Sequence, residues 1–137
     1  MAPGSVTDHL SGFQDLLPTL AELAGAPLPD AIDGVSFVPT LLGEPGRQIA
    51  HEHLYWEWRG ELGRFGTAQA IRVGQWKLLR KKRWLRPPIV ELYDLDVDSR
   101  EKRDLAADHP EIVADLIARM DREHVASAEF PLAIYEE

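Results

Sequence analysis

Three clusters of residues hold side chains that could do chemistry. His51-Glu52-His53 sets two imidazoles two positions apart. On a strand they would point the same way with Glu52 opposite, a spacing that offers two nitrogen ligands to one metal. A zinc or iron site needs a third ligand, and acidic residues are too abundant here for the sequence to nominate one. A polar strand start at a surface accounts for the same residues, so no metal ligand is assigned. Tyr55, Trp56, Glu57 and Trp58 come next. Aromatic rings around one carboxylate can stack on a sugar while the carboxylate accepts hydrogen bonds from its hydroxyls. Alternate aromatics packing on a sheet, with Glu57 in solvent or against an Arg, would produce the same pattern. Tyr55, Trp56 and Glu57 are therefore the candidate substrate-binding residues. The third cluster is Lys77, Arg80, Lys81, Lys82, Arg83 and Arg86, interleaved with Trp76 and Trp84. It has the make-up of a nucleic-acid stripe, or of an outward strand guarded against edge pairing by positive charge. The whole chain carries 15 basic against 23 acidic residues, a net charge of −8. That average field argues against a polyanion as the main partner.

Several chemistries are excluded outright. The chain has no cysteine, so disulfides, thiolate metal sites and cysteine nucleophiles are absent. The glycines at 34, 43, 60, 63 and 66 form no phosphate-binding fingerprint, and no serine sits in a nucleophile elbow. Acidic residues supply too many pairs to single out two for glycoside hydrolysis. Taken alone, the residues offer no catalytic centre. They also offer no membrane span, since no apolar run approaches the roughly 18 to 20 residues required. The opening MAPGSVTDHL has neither a basic nor an apolar segment. It reads as no signal peptide, and the chain as cytoplasmic as encoded.

The elements that must position these clusters follow from periodicity and punctuation. In the first helix, expected over 9–25, Phe13, Leu16, Leu17, Leu20, Leu23 and Ala24 make one apolar stripe. Ser11 is its N-cap, Pro18 a kink, and Gly25 followed by Pro27 its stop. Residues 26–47 are rich in Pro and Gly and read as loop, with a short helical turn in SFVPTLL. Strands are expected at 51–58, 67–73, 76–85 and 89–95, with a glycine-rich loop at 59–66 and a turn at Gly74-Gln75. A charged loop then leads to a last helix from Asp108 to about Ala126. Asp108 and Glu111 would form its capping box, with Pro110 in the first turn. Val113, Leu116, Ile117, Met120 and His124 line one face of it, and the apolar tail around Phe130 and Tyr135 could dock as an extended strap. The fold class is α+β: an antiparallel sheet of about four strands packed by the C-terminal helix, preceded by an N-terminal helix and a Pro/Gly-rich loop.

In this order DLLPTLAELAG (15–25), DGVSFVPTLLGE (33–44), HEHLYWEW (51–58), AIRVGQWKLLR (70–80) and ELYDLDVDSREKRDLAADHPEIV (91–113) resemble the C-terminal part of sulfatases. The branch most similar is the bacterial arylsulfatase type of the alkaline phosphatase-like superfamily, over about residues 7–132. The resemblance implies a parent activity of sulfate monoester hydrolysis, with calcium and formylglycine as the family's cofactors. Formylglycine arises from Cys or Ser in a Cys/Ser-x-Pro/Ala-x-Arg motif, which this sequence does not contain. The family's calcium ligands also fall outside the matched region. No catalytic or metal residue is therefore carried over, no cofactor is assigned to this chain, and it is expected to be inactive on its own.

The resemblance further implies that 1–45 would close the large sulfatase domain and 46–137 would form the C-terminal subdomain. Two partners are expected for the stripe at 13–24: a missing N-terminal sulfatase domain, or a second copy of the chain in a homo-oligomer. The alternative reading is a stand-alone accessory domain that keeps the fold and binds carbohydrate or protein.

Overall fold

The computed structural model describes residues 3–59, 66–82, 86–132 and 134. The expected loop at 59–66, the end of the basic run at Arg83 and Trp84, and Tyr135 of the strap thus fall largely or wholly outside the described residues. The chain separates into two compact units, Met1–Glu52 and His53–Glu137.

In the first unit, helix α1 (Leu16–Ala24) follows a 3-10 turn at Phe13–Asp15 and ends at Gly25. It is shorter than the expected 9–25, and Ser11 is not its cap. The Asp15 carboxylate accepts the Gly12 N–H at 2.7 Å while the Asp15 N–H bonds back to the Gly12 carbonyl, which tightens the chain into a turn. Pro18 does not kink the helix. It lies in the first turn, where backbone N–H groups have no intrahelical partner to lose. The buried face of the helix holds Asp15, Pro18, Thr19 and Ala21. The leucine stripe with Phe13 stays between 43% and 90% exposed.

Thr19 Oγ1 donates to the Asp15 carbonyl and accepts the Phe37 N–H at 3.0 Å, which holds the following segment alongside. At Gly34 that approach is so close that a Cβ would lie 2.0 Å from the Gln14 carbonyl oxygen, so only glycine fits. Helix α2 (Val38–Leu42) is the expected short turn. Gln48 accepts from both Thr40 N–H and Thr40 Oγ1 and donates to the Ser36 carbonyl. These bonds tie Gln48 into the first unit.

The second unit is an antiparallel sheet in the order β1 (Leu54–Arg59), β2 (Thr67–Val73), β3 (Trp76–Lys82), β4 (Ile89–Asp94). Residues 51–53 are not strand. Leu54 already pairs Arg72, and the chain turns at Gly74, so little ladder remains opposite them. Val73 faces Trp76 across a two-residue turn whose Gly74 has φ +56°, a left-handed value that favours glycine.

One sheet face carries Ile71, Leu78 and Leu92, which form the core with Leu116 and Met120 of helix α3 (Pro110–Glu123). The helix keeps Pro110 in its first turn as expected, but it is shorter than the expected 108–126 at both ends, and the capping box is absent. Its N-cap is His109 without a side-chain bond, and Asp108 lies 3.6 Å from Arg103 instead. The loop before α3 seals the outer edge of β4: Asp104 Oδ1 accepts the Leu92 N–H at 3.0 Å, and the Leu105 N–H donates to the Leu92 carbonyl. An unpaired sheet edge is thereby closed. In the tail, Leu132 is buried, Phe130 is exposed, and Arg59 donates to the Glu129 carbonyl.

Candidate functional site

Strand alternation divides the candidate residues between the two faces of the sheet. Tyr55 and Glu57 share the α3 face with Gln69 and Arg80, whereas Trp56 lies on the opposite face with Ala70 and Arg72. Tyr55, Trp56 and Glu57 therefore do not form one continuous edge.

On the α3 face, Tyr55 OH and Gln69 Nε2 both donate to Glu57 Oε1. His124 Nδ1 lies 2.6 Å from the same oxygen, and Gln69 also donates to Tyr55 OH. Partial burial opposes the charge on Glu57. The bonds from Tyr55, His124 and Gln69 outweigh it and hold the carboxyl below the usual range. Arg80, 8% exposed, donates through Nε to Gln69 Oε1 at 2.8 Å and through Nη2 to Asp121 Oδ1 at 2.7 Å. A second pair joins β1's approach to α3, His53 Nε2 to Glu123 Oε1 at 3.2 Å. Together these bonds clasp the C-terminal end of α3 to β1, β2 and β3. Their side chains are occupied with one another, which suits positioning rather than turnover.

His51 and His53 take different partners. His51 Nε2 lies 2.8 Å from Asp15 Oδ1 in the first unit, while His53 pairs with Glu123. Burial opposes ionisation of Asp15, but hydrogen bonds from the Gly12 and Val35 amides and from His51, with its charge, lower its pKa overall. The two imidazoles thus serve two separate acidic partners. Among the described residues no group of three or more His, Asp or Glu could hold a metal ion. The described residues do not fit a calcium centre.

The basic run is likewise divided. Lys77 and Lys81 project from one face and pair with Glu101 and Glu91, each at 2.5 Å, whereas Arg80 turns inward to Asp121. Among these paired side chains little of a continuous basic stripe remains.

The face opposite α3 holds a groove of about 420 Å³ lined by Trp56, Ala70, Arg72, Lys77, Leu95 and Glu101. Arg72 Nε donates to the Gly74 carbonyl at 3.2 Å. Glu101 has φ +53°, an unusual backbone for a non-glycine residue. The turn that imposes it is built by Asp98, whose carboxylate accepts the amides of Lys102 and Arg103. Sequence reasoning missed Arg72 and Glu101 as site residues. The first was hidden inside a hairpin strand, and the second reaches the groove only through a loop turn.

Residues 1–126 match the family described as N-sulphoglucosamine sulphohydrolase, C-terminal. The chain belongs to this sulfatase family. A Delta 4,5-hexuronate-2-O-sulfatase of Bacteroides thetaiotaomicron is 34% identical over 119 residues, covering 83% of this chain and 24% of that protein. Human arylsulfatase A is 59% identical over a shorter stretch of 44 residues, 31% of this chain and 8% of that enzyme. A solved Bacteroides thetaiotaomicron structure described as a sulfatase superposes with a TM-score of 0.67 at 31% identity, covering 79% of this chain and 23% of that one. The chain thus corresponds to a sulfatase C-terminal region and spans about a quarter, or less, of the length of these sulfatase relatives. No helix among the described residues is long and apolar enough to cross a membrane.

Proposed function

We propose that this sulfatase C-terminal region works as part of an enzyme that hydrolyses sulfate monoesters on a sugar or aryl group, and that it has no turnover by itself. The observation that carries this reading is the family match over residues 1–126, in a chain that spans so small a share of its relatives. The nucleophile, formylglycine, and calcium belong in this reading to the part of the enzyme outside this chain. Cleaving a sulfate ester calls for a nucleophile on sulfur and for positive charge on the sulfate oxygens. Asp15, Glu123 and Glu57 are instead paired with His51, His53 and His124.

Of the three β1 residues expected to touch substrate, Tyr55 and Glu57 are held in the clasp to α3, so contact with the organic part of the substrate rests on Trp56. The apolar stripe with Phe13 and Leu20 would be covered by the large domain in the intact enzyme and by a second copy in the isolated chain.

Hydrolysis of an aryl sulfate in the presence of calcium tests the reading. The purified chain should show no turnover alone and should restore turnover to a sulfatase large domain that lacks this region. Turnover by the 137-residue chain itself would overturn its assigned inactivity. Failure of any large domain to be restored would count against the parent activity.

A further inference from the structure

We propose that the groove on the sheet face opposite α3 binds one sulfated ring of a glycan, with Trp56 and Arg72 as its recognition residues. The proposal rests on the reading that the parent enzyme acts on a sulfated sugar, and it names the residues of this chain that hold such a substrate. The ladder places Ala70 between Trp56 on β1 and Leu79 on β3. Its methyl group leaves a hollow between larger neighbours, and about 420 Å³ is in the size range of small-ligand sites. Trp56 forms one wall and is 40% exposed, which presents an indole face to the apolar C–H face of a pyranose.

Arg72 supplies the charge. Its Nε is fixed on the Gly74 carbonyl, and among the described residues it makes no ion pair. The remaining guanidinium N–H groups can thus meet an anion's oxygens as a planar fork. Lys77 and Glu101 neutralise each other on the rim. They offer a donor and an acceptor to ring hydroxyls, and the turn around Asp98 holds Glu101 there. The lining therefore carries Arg72 and Lys77 against Glu101, a local excess of positive charge on a chain of net charge −8. An aromatic plate beside an arginine that has no ion pair among the described residues matches a sugar that bears an anionic ester.

The test titrates the ¹⁵N-labelled 137-residue chain with a 2-O-sulfated Δ4,5-hexuronate disaccharide, its unsulfated counterpart, and inorganic sulfate. The sulfated disaccharide should bind more tightly than either control, with shifts centred on Trp56, Ala70 and Arg72. Trp56→Leu and Arg72→Leu should each weaken it by about tenfold or more. Arg72→Lys should retain part of the affinity, because the charge stays while the fork is lost. Circular dichroism confirms that each variant is folded; Trp56→Val replaces Trp56→Leu, and Arg72→Gln replaces Arg72→Leu, should either fail to fold. Equal affinity for sulfated and unsulfated disaccharides would overturn the proposal. So would affinity unchanged in both leucine variants, or shifts centred on Lys82 and Arg86. Sulfate hydrolysis by the reconstituted enzyme is read separately. Hydrolysis without groove binding removes this proposal alone, and groove binding without hydrolysis removes the parent activity alone.

Discussion

Asp15 ties together three stretches of the first unit. Its buried carboxylate accepts the Gly12 and Val35 amides and meets His51, so three separate stretches depend on one charge. Asp15→Ala strands those donors. It should cost about 3 kcal/mol, read by urea denaturation followed in the first unit. Folding lowers the pKa of both Asp15 and Glu57. Their contribution to stability is therefore fully present above the ordinary carboxylate range, near pH 4, and is lost as pH falls through the lowered values. A denaturation midpoint that stayed flat from pH 6 to pH 2 would contradict this, and Asp15→Asn should flatten the profile. Gly34 is the steric counterpart. Gly34→Ala drives a methyl into the Gln14 carbonyl and should destabilise the unit by about 2 kcal/mol or more. A neutral result in the same denaturation assay would show that the backbone can yield there.

Among the elements, β4 depends most on a loop. Its outer edge is satisfied by Asp104 and Leu105 rather than by another strand. Asp104→Ala leaves the Leu92 and Ala106 amides without their acceptor, so hydrogen exchange at Leu92 should accelerate while the β2–β3 amides keep their protection. Leu116→Ala acts from the other side of the core. Removing a side chain that is only 2% exposed should cost about 2 to 5 kcal/mol by thermal or chemical unfolding. The elements were largely legible in the sequence, because hairpin spacing, prolines and the period of the last helix are local signals. The first helix is shorter than its apolar stripe implies, since the stripe continues through Phe13 although a side chain to backbone bond at Gly12 has already closed a turn. The absent capping box fails for a similar reason: Asp108 has the right position and a competing partner in Arg103.

At the scale of the whole molecule, the feature with the largest consequence is the exposed row Phe13, Leu16, Leu17, Leu20 and Leu23. Uncovered apolar surface of this kind drives association. Light scattering of the isolated chain should show a mass above 15.4 kDa that rises with concentration. Leu16→Glu with Leu20→Glu should return it to the monomer without loss of helical signal. A wild-type chain that stays monomeric at high concentration would show that the row needs no cover.

The sequence by itself determined the α+β class, the succession of strands along the chain, the helices that precede and follow them and the resemblance to sulfatases. All of these rest on periodicity, turn residues and the order of short phrases along the chain. Only the tertiary structure decided which side chains meet. Adjacent residues on a strand face opposite ways, so Tyr55, Trp56 and Glu57 look like one cluster in the sequence and become a clasp and a groove wall in the fold. Conversely, Trp56, Arg72 and Glu101 are far apart along the chain and converge on one hollow. Sequence spacing carries no record of that pairing, which is set by the ladder register and by a loop turn.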